Sequence, residues 1–414
     1  MGTIRGRALL QRARPHAFCL SGREGASPRR TRIGGRLQPR HGSHGLSRVR
    51  PIHALTSLRG VAAWWVVLYH FREFFPAGTP WAIQAFTAKG YLAVDLFFEL
   101  SGFVIALNYA SRMETFRLGD SIRFLLLRLA RIYPLHLFMM LVFLANPIAL
   151  KFFSTLGTVD HRYDPAYYVM SLFLVQNWGL TDDIRWNIPA WSISTEWFSY
   201  LVFPILTPLL VPAYRRRVLV VGGAILLLVL LAVLTAANGG ELGGEIPRLG
   251  LMRCLIEFQT GVLLCHFTTL CPARGPWRSG IAAGLALALF AAYAMLPVPD
   301  YAVMPAGFLC LIYALTDENN PLARALRVPV LERLGDISYS TYLVHYFVKD
   351  WVKFLIVGPD TPLLAILGTY VLVTGVLSVV LYRLVERPGQ QAVQALLRSR
   401  PLPGSGASTQ PGPR

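Results

Sequence analysis

The stretch "SLRGVAAWWVVLYHF", residues 57–71, reads as the body of a membrane helix. Residues 60–69 carry no charge, yet Arg59 stands before them and His70 directly after. Ionisable groups inside a membrane are costly and mark functional paths by default. Eleven residues at ~1.5 Å rise span about 16 Å, close to three full turns, so Arg59 and His70 share one helical face.

The rest of the chain has the same character. Of 414 residues, 54% are hydrophobic and 15% charged, where a soluble domain is about a quarter charged. Eleven apolar runs lie near 54–72, 91–110, 130–150, 166–178, 190–211, 217–236, 249–268, 279–296, 301–316, 335–357 and 363–384. Most approach the ~20 residues a membrane crossing needs. The fourth is short and ends in polar "NWGLTDDIRWN", which suits a re-entrant segment. The expected fold is an all-α polytopic membrane protein with about ten transmembrane helices plus one re-entrant segment.

Arginine placement supports that count. With the fourth run not crossing, Arg112, Arg117, Arg123, Arg128, the "RRR" of 215–217, Arg274, Arg278, Arg324, Arg327, Arg333 and Arg387 share one side with the N-terminus. The other side holds Arg72, Lys89, Lys151, Arg162, Arg185 and Arg248. The positive-inside rule then makes both termini cytoplasmic. The net charge of +18 is thus a topology signal, and no nucleic acid is expected. Five cysteines show neither a CxxC pair nor ligand spacing, so no disulfide framework and no metal site is expected. Residues 1–50 hold twelve arginines and one acid without an apolar core. They read as a basic, disordered cytoplasmic extension or an over-long start, with a transit peptide as the alternative. Residues 51–390 form the membrane domain, and 391–414 are expected to be a disordered cytoplasmic tail.

Depth along the helices singles out further groups. Asp95 and Glu99 lie one and two turns into "YLAVDLFFELSGFVIA". Glu196 sits about 9 Å into "AWSISTEWFSYLVFP", and His345 about 15 Å into "GDISYSTYLVHYF" at ~1.5 Å per residue. His70, Asp95, Glu196 and His345 therefore reach similar depths, where carboxylates beside imidazoles can support general-base chemistry. Arg128 and Arg131 in "RFLLLRLARIYPLHL" are three apart on one face, and guanidiniums bind phosphate bidentately. Each group also has a purely structural reading: Arg59 as a snorkelling side chain, Arg128 and Arg131 as interfacial anchors, His70 and His136 as packed core histidines, Glu99 as an ion-pair partner.

Taken in order, these segments resemble the acyltransferase-3 family of membrane O-acyltransferases. "LTSLRGVAAWWVVLYH" is similar to its Arg/Lys-x10-His opening, and "VDLFFELSGFVI" to VDLFFVLSGF. "RLARIYPLH" is similar to its RxxR segment, "PAWSISTEWFSYLVFP" to WSLSxExxFYLxxP, "ISYSTYLVH" to SYxxYLxH, and "ERP" at 386–388 to a closing ExP. Two positions depart from the pattern: Glu99 where Val is usual, and His136 where Tyr is common. The resemblance implies acyl transfer from acetyl-CoA or another acyl-CoA to a hydroxyl of a cell-surface or lipid-linked carbohydrate. It implies His70 as base supported by Arg59, Arg128 and Arg131 at the donor phosphates, and Glu196 as an essential carboxylate. The setting is the lipid bilayer, read as the bacterial inner membrane. Transfer is expected to be direct, without a fused esterase-like domain. Rival readings are acylation of a secreted natural product such as a macrolide, and a transporter using the same buried groups.

Overall fold

The computed structural model describes residues 51–153 and 161–399. The N-terminal extension, Asp160 and residues 400–414 lie outside the described residues. Ten long helices carry the fold: α1 (His53–Phe71), α2 (Ala93–Tyr109), α3 (Leu118–Phe143), α4 (Trp191–Tyr214), α5 (Arg217–Ala237), α6 (Ile246–Leu270), α7 (Pro276–Met295), α8 (Asp300–Leu315), α9 (Ser338–Leu355) and α10 (Leu363–Leu381). An eleventh, α11 (Arg387–Ser399), follows α10 through a wide π-helical turn at Tyr382–Glu386. No strand occurs among the described residues.

The ten long helices coincide with ten of the eleven apolar runs. Six helical segments, those containing α2, α3, α4, α5, α7 and α10, are long and apolar enough to cross a membrane, and α8 is a shorter apolar helix. Helices α1, α6 and α9 carry ionisable groups inward, which lowers their mean hydropathy. Lipid is the partner that outward faces call for: Val218 on α5 is 82% exposed and Ile281 on α7 67%, side chains that water would not tolerate in such numbers. The protein is an all-α polytopic membrane protein.

The fourth run forms only the short helix Pro165–Leu172, capped by the Asp164 carboxylate accepting from the Ala166 N–H. The chain then turns back along α4, where the Asn177 N–H donates to Ser194 Oγ and Trp178 Nε1 to the Ser194 carbonyl. Against α3, His136 Nε2 lies 2.9 Å from the Ser171 carbonyl and the Tyr133 hydroxyl donates to that of Leu172. His136 is thus a buried packing residue.

The tail departs from expectation. Residues 391–399 continue α11, whose start packs on α3 with Gly389 against Pro134. Helix α2 packs along α6 at two glycines: a Cβ at Gly102 would overlap the Phe258 carbonyl, and one at Gly261 the Glu99 carbonyl. Small residues let membrane helices approach backbone to backbone.

Candidate functional site

A cavity of about 400 Å³ runs between α1, α2, α3, α4 and α9, within the range typical of small-molecule sites. On α2 it is lined by Val94, Phe97, Ser101, Val104 and Asn108, spaced three or four apart and so on one face. Val94 to Asn108 is about 21 Å along the axis at ~1.5 Å per residue. The site is therefore a narrow canyon. Arg128, Tyr109 and Gln390 line one end, Val94, Ser192 and Tyr342 the other.

Four of the residues singled out in the sequence meet in this canyon: Arg59, Arg128, Arg131 and Glu196. Their partners differ. Glu196 Oε1 accepts from Ser101 Oγ and from the Tyr200 hydroxyl, both at 2.5 Å. Those hydroxyls hold the carboxylate in one rotamer. Arg131 is salt-bridged to Glu386, whose other oxygen accepts from Ser340 Oγ at 2.6 Å. Arg128 has no carboxylate partner among the described residues. It donates to the Tyr109 hydroxyl at 2.9 Å and lies 5.0 Å from that ring, and its Nε is buried without a hydrogen bond. Arg128 thus keeps donors for an anion, while the positive charge of Arg131 is largely answered by Glu386.

His70 and His345 form a second centre. Their rings lie 5.2 Å apart, and the Tyr346 ring meets His70 edge-on at 5.1 Å. His345 Nδ1 lies 3.2 Å from the Thr341 carbonyl, and its Nε2 has no partner. His70 is half-buried and His345 fully buried.

The expected clustering of carboxylates with these imidazoles does not occur. No hydrogen bond or ion pair joins Asp95 or Glu196 to either histidine among the described residues. Asp95 is gripped by Arg253 of α6, with Nε to Oδ1 and Nη2 to Oδ2 both at 2.6 Å. The expectation from depth along each helix fails because depth does not fix rotation. Asp95, Glu99 and Gly102 turn toward α6, about a quarter-turn or more from the canyon face of α2. Glu257, one turn beyond Arg253, lies 3.9 Å from its Nε. Glu99 is fully buried with both oxygens unpartnered. Arg253 and Glu257 are absent from the expected site residues, although an i, i+4 ionisable pair inside "LMRCLIEFQTGVLL" is a signal for them. In the sequence Glu386 stands out only as part of "ERP"; the π-helical turn aims it at Arg131. Such turns recur at functional sites.

No group of three or more His, Cys, Asp or Glu side chains that could hold a metal occurs among the described residues.

Comparison with known proteins gives a consistent picture. A family model described as an acyltransferase domain matches residues 52–383. The chain is 30% identical over 326 residues to acyltransferase MdmB of Streptomyces mycarofaciens, covering 73% of this chain and 80% of that one. It is 29% identical over 314 residues to exopolysaccharide production protein ExoZ of Rhizobium meliloti, covering 72% and 89%. It is 23% identical over 374 residues to O-acetyltransferase OatA of Staphylococcus aureus, covering 82% of this chain and 57% of that protein. No solved structure matches.

Proposed function

The chain belongs to the acyltransferase-3 family of membrane O-acyltransferases, and on that premise we propose that it moves an acetyl or other short acyl group from cytosolic acyl-CoA to a carbohydrate hydroxyl. The acceptor is a cell-surface or lipid-linked sugar, the membrane is the bacterial inner membrane, and both termini are cytoplasmic. The observation that carries this reading is the canyon: long, narrow, cationic at the end beside Gln390, and directed toward a pair of histidines.

In this reading the CoA phosphates sit at the Arg128 end, where unpaired guanidinium donors suit phosphate oxygens. Arg59 supplies a further cation deeper in the canyon. The pantetheine arm runs along the α2 face and brings its thioester toward His70. His70 takes the proton of the acceptor hydroxyl as its oxygen attacks the thioester carbonyl. The acyl–sulfur bond then breaks, the ester forms, and CoA leaves as the thiol after receiving a proton. His345 lies against His70 and fixes its setting. Glu196, held by Ser101 and Tyr200, offsets part of the charge that Arg59 brings to the canyon. The names of ExoZ and OatA, one for exopolysaccharide production and one for O-acetyl transfer, favour a glycan acceptor and an acetyl group.

The test is transfer of labelled acetyl from acetyl-CoA to a glycan acceptor in proteoliposomes. General-base contributions are typically ~10²–10⁴-fold, so His70→Ala should lose about that much turnover while CoA titration stays unchanged. Undiminished turnover in that variant would remove His70 from the mechanism. Mass spectrometry of surface glycans, with and without the protein, identifies the acceptor.

A further inference from the structure

We propose that Tyr342 and Phe97 form a partition between the donor canyon and the His70–His345 pair, and that this partition restricts the enzyme to short acyl groups. The proposal rests on the donor reading above. Neither histidine lines the canyon, whereas Tyr342 and Phe97 both do, at the end farthest from Arg128. The Tyr342 ring lies 6.0 Å from that of His345, which in turn is 5.2 Å from His70. Phe97 closes on Tyr342 edge-to-face at 5.9 Å. A thioester travelling up the canyon meets these two rings before it meets the imidazoles.

Tyr342 is held in that position. Its hydroxyl donates to the Pro189 carbonyl at 3.0 Å and lies 2.8 Å from Ser192 Oγ. Both partners belong to the entry of α4, and the residue is only 7% exposed. Swinging the ring aside breaks two buried hydrogen bonds, so the closed position is the resting one.

The partition has two chemical consequences. With the rings closed, water is kept from the thioester. Without them, water attacks the same carbonyl: the acyl–sulfur bond breaks, a carboxylic acid forms, and CoA leaves as the thiol with no ester made. The rings also limit the room beyond the carbonyl. A pocket wall that meets an extra methylene discriminates by ~10–200-fold.

The experiment compares acetyl-CoA with butyryl-CoA in proteoliposomes, measuring ester formed and CoA thiol released for wild type, Tyr342→Ala, Phe97→Ala and Tyr342→Phe. CoA titration of each variant reports that the canyon is intact. The two Ala variants should raise the hydrolysed fraction and reduce the preference for acetyl over butyryl by roughly tenfold. Tyr342→Phe keeps the ring and should keep the acyl preference. Should Tyr342→Ala fail to fold, Phe97→Ala carries the test. Ala variants that bind CoA yet retain the wild-type preference and hydrolysed fraction overturn the partition. A wild-type protein that transfers neither acyl group fails at the donor reading itself, and the partition falls with it. A residue that merely supported packing would lower turnover without altering chain-length preference.

Discussion

Along α2, the face holding Asp95 and Glu99 meets α6, whereas the face holding Val94, Phe97 and Ser101 meets the canyon. Both faces carry ionisable neighbours. Toward α6, Asp95 and Glu257 flank the Arg253 guanidinium, and Glu99 lies one turn from Asp95 along α2; the three carboxyls are fully buried and Arg253 is 4% exposed. Toward the canyon Arg131 is paired with Glu386, Glu196 is held by hydroxyls, and Arg59, Arg128 and Arg131 are all half-buried. The closed cluster has its one cation, Arg253, consumed by its own anions, and glycines that bring the backbones together. The open one has cations to spare and space beside them. The first ties two helices together, and the second has the character of an anion site.

That contrast breaks most sharply at Arg253. Arg253→Ala leaves Asp95 buried without its bidentate partner and also loses the bond from Nη1 to the Leu242 carbonyl. Removing one member of a buried pair costs about 3–5 kcal/mol. Thermal unfolding in detergent should show a loss of that order, and a variant of near wild-type stability would mean that the cluster does not tie α2 to α6. Next come Arg128 and Arg131. Arg128→Gln should weaken CoA binding by roughly tenfold, from the ~1.5–3 kcal/mol that a hydrogen bond to a charged group contributes, with little change in unfolding temperature. Arg131→Gln strands Glu386, which is 1% exposed, so it should lower stability as well. Equal profiles for the two variants would erase the distinction between a spare and a consumed cation. The smallest effect is at Glu99. Its unpartnered oxygens carry a desolvation penalty of ~1–3 kcal/mol, so Glu99→Val should stabilise the protein by about 1 kcal/mol. A loss of stability there would reveal a polar role for Glu99.

Much of the fold was legible because a membrane helix is a local property. Apolar runs predicted the other long helices within a few residues, whereas α3 begins at Leu118, twelve residues before its run near 130–150, because its first turns are Arg-rich; the polar break after Trp178 separated the short Pro165–Leu172 helix from the long ones. The helical continuation to Ser399 was missed, since its amphipathic stripe is short and follows "RPG". Among site residues, spacing put Arg128 beside Arg131 and Arg59 three turns below His70. Depth, however, could not supply rotation. Asp95 turns to Arg253, and Glu196 is held by Ser101 and Tyr200 inside the canyon, away from the histidines beyond its Tyr342 end.

The sequence by itself determined the helices, the order of the motifs and the position of each ionisable group along its own helix, because hydropathy and the ~1.5 Å rise act along the chain. Only the tertiary structure decided which heights become contacts. Asp95 finds Arg253 158 positions away and Arg131 finds Glu386 255 positions away. Those pairings depend on the rotation of each helix about its axis, and that rotation is set by close packing at Gly102 and Gly261 and by the wide turn before α11.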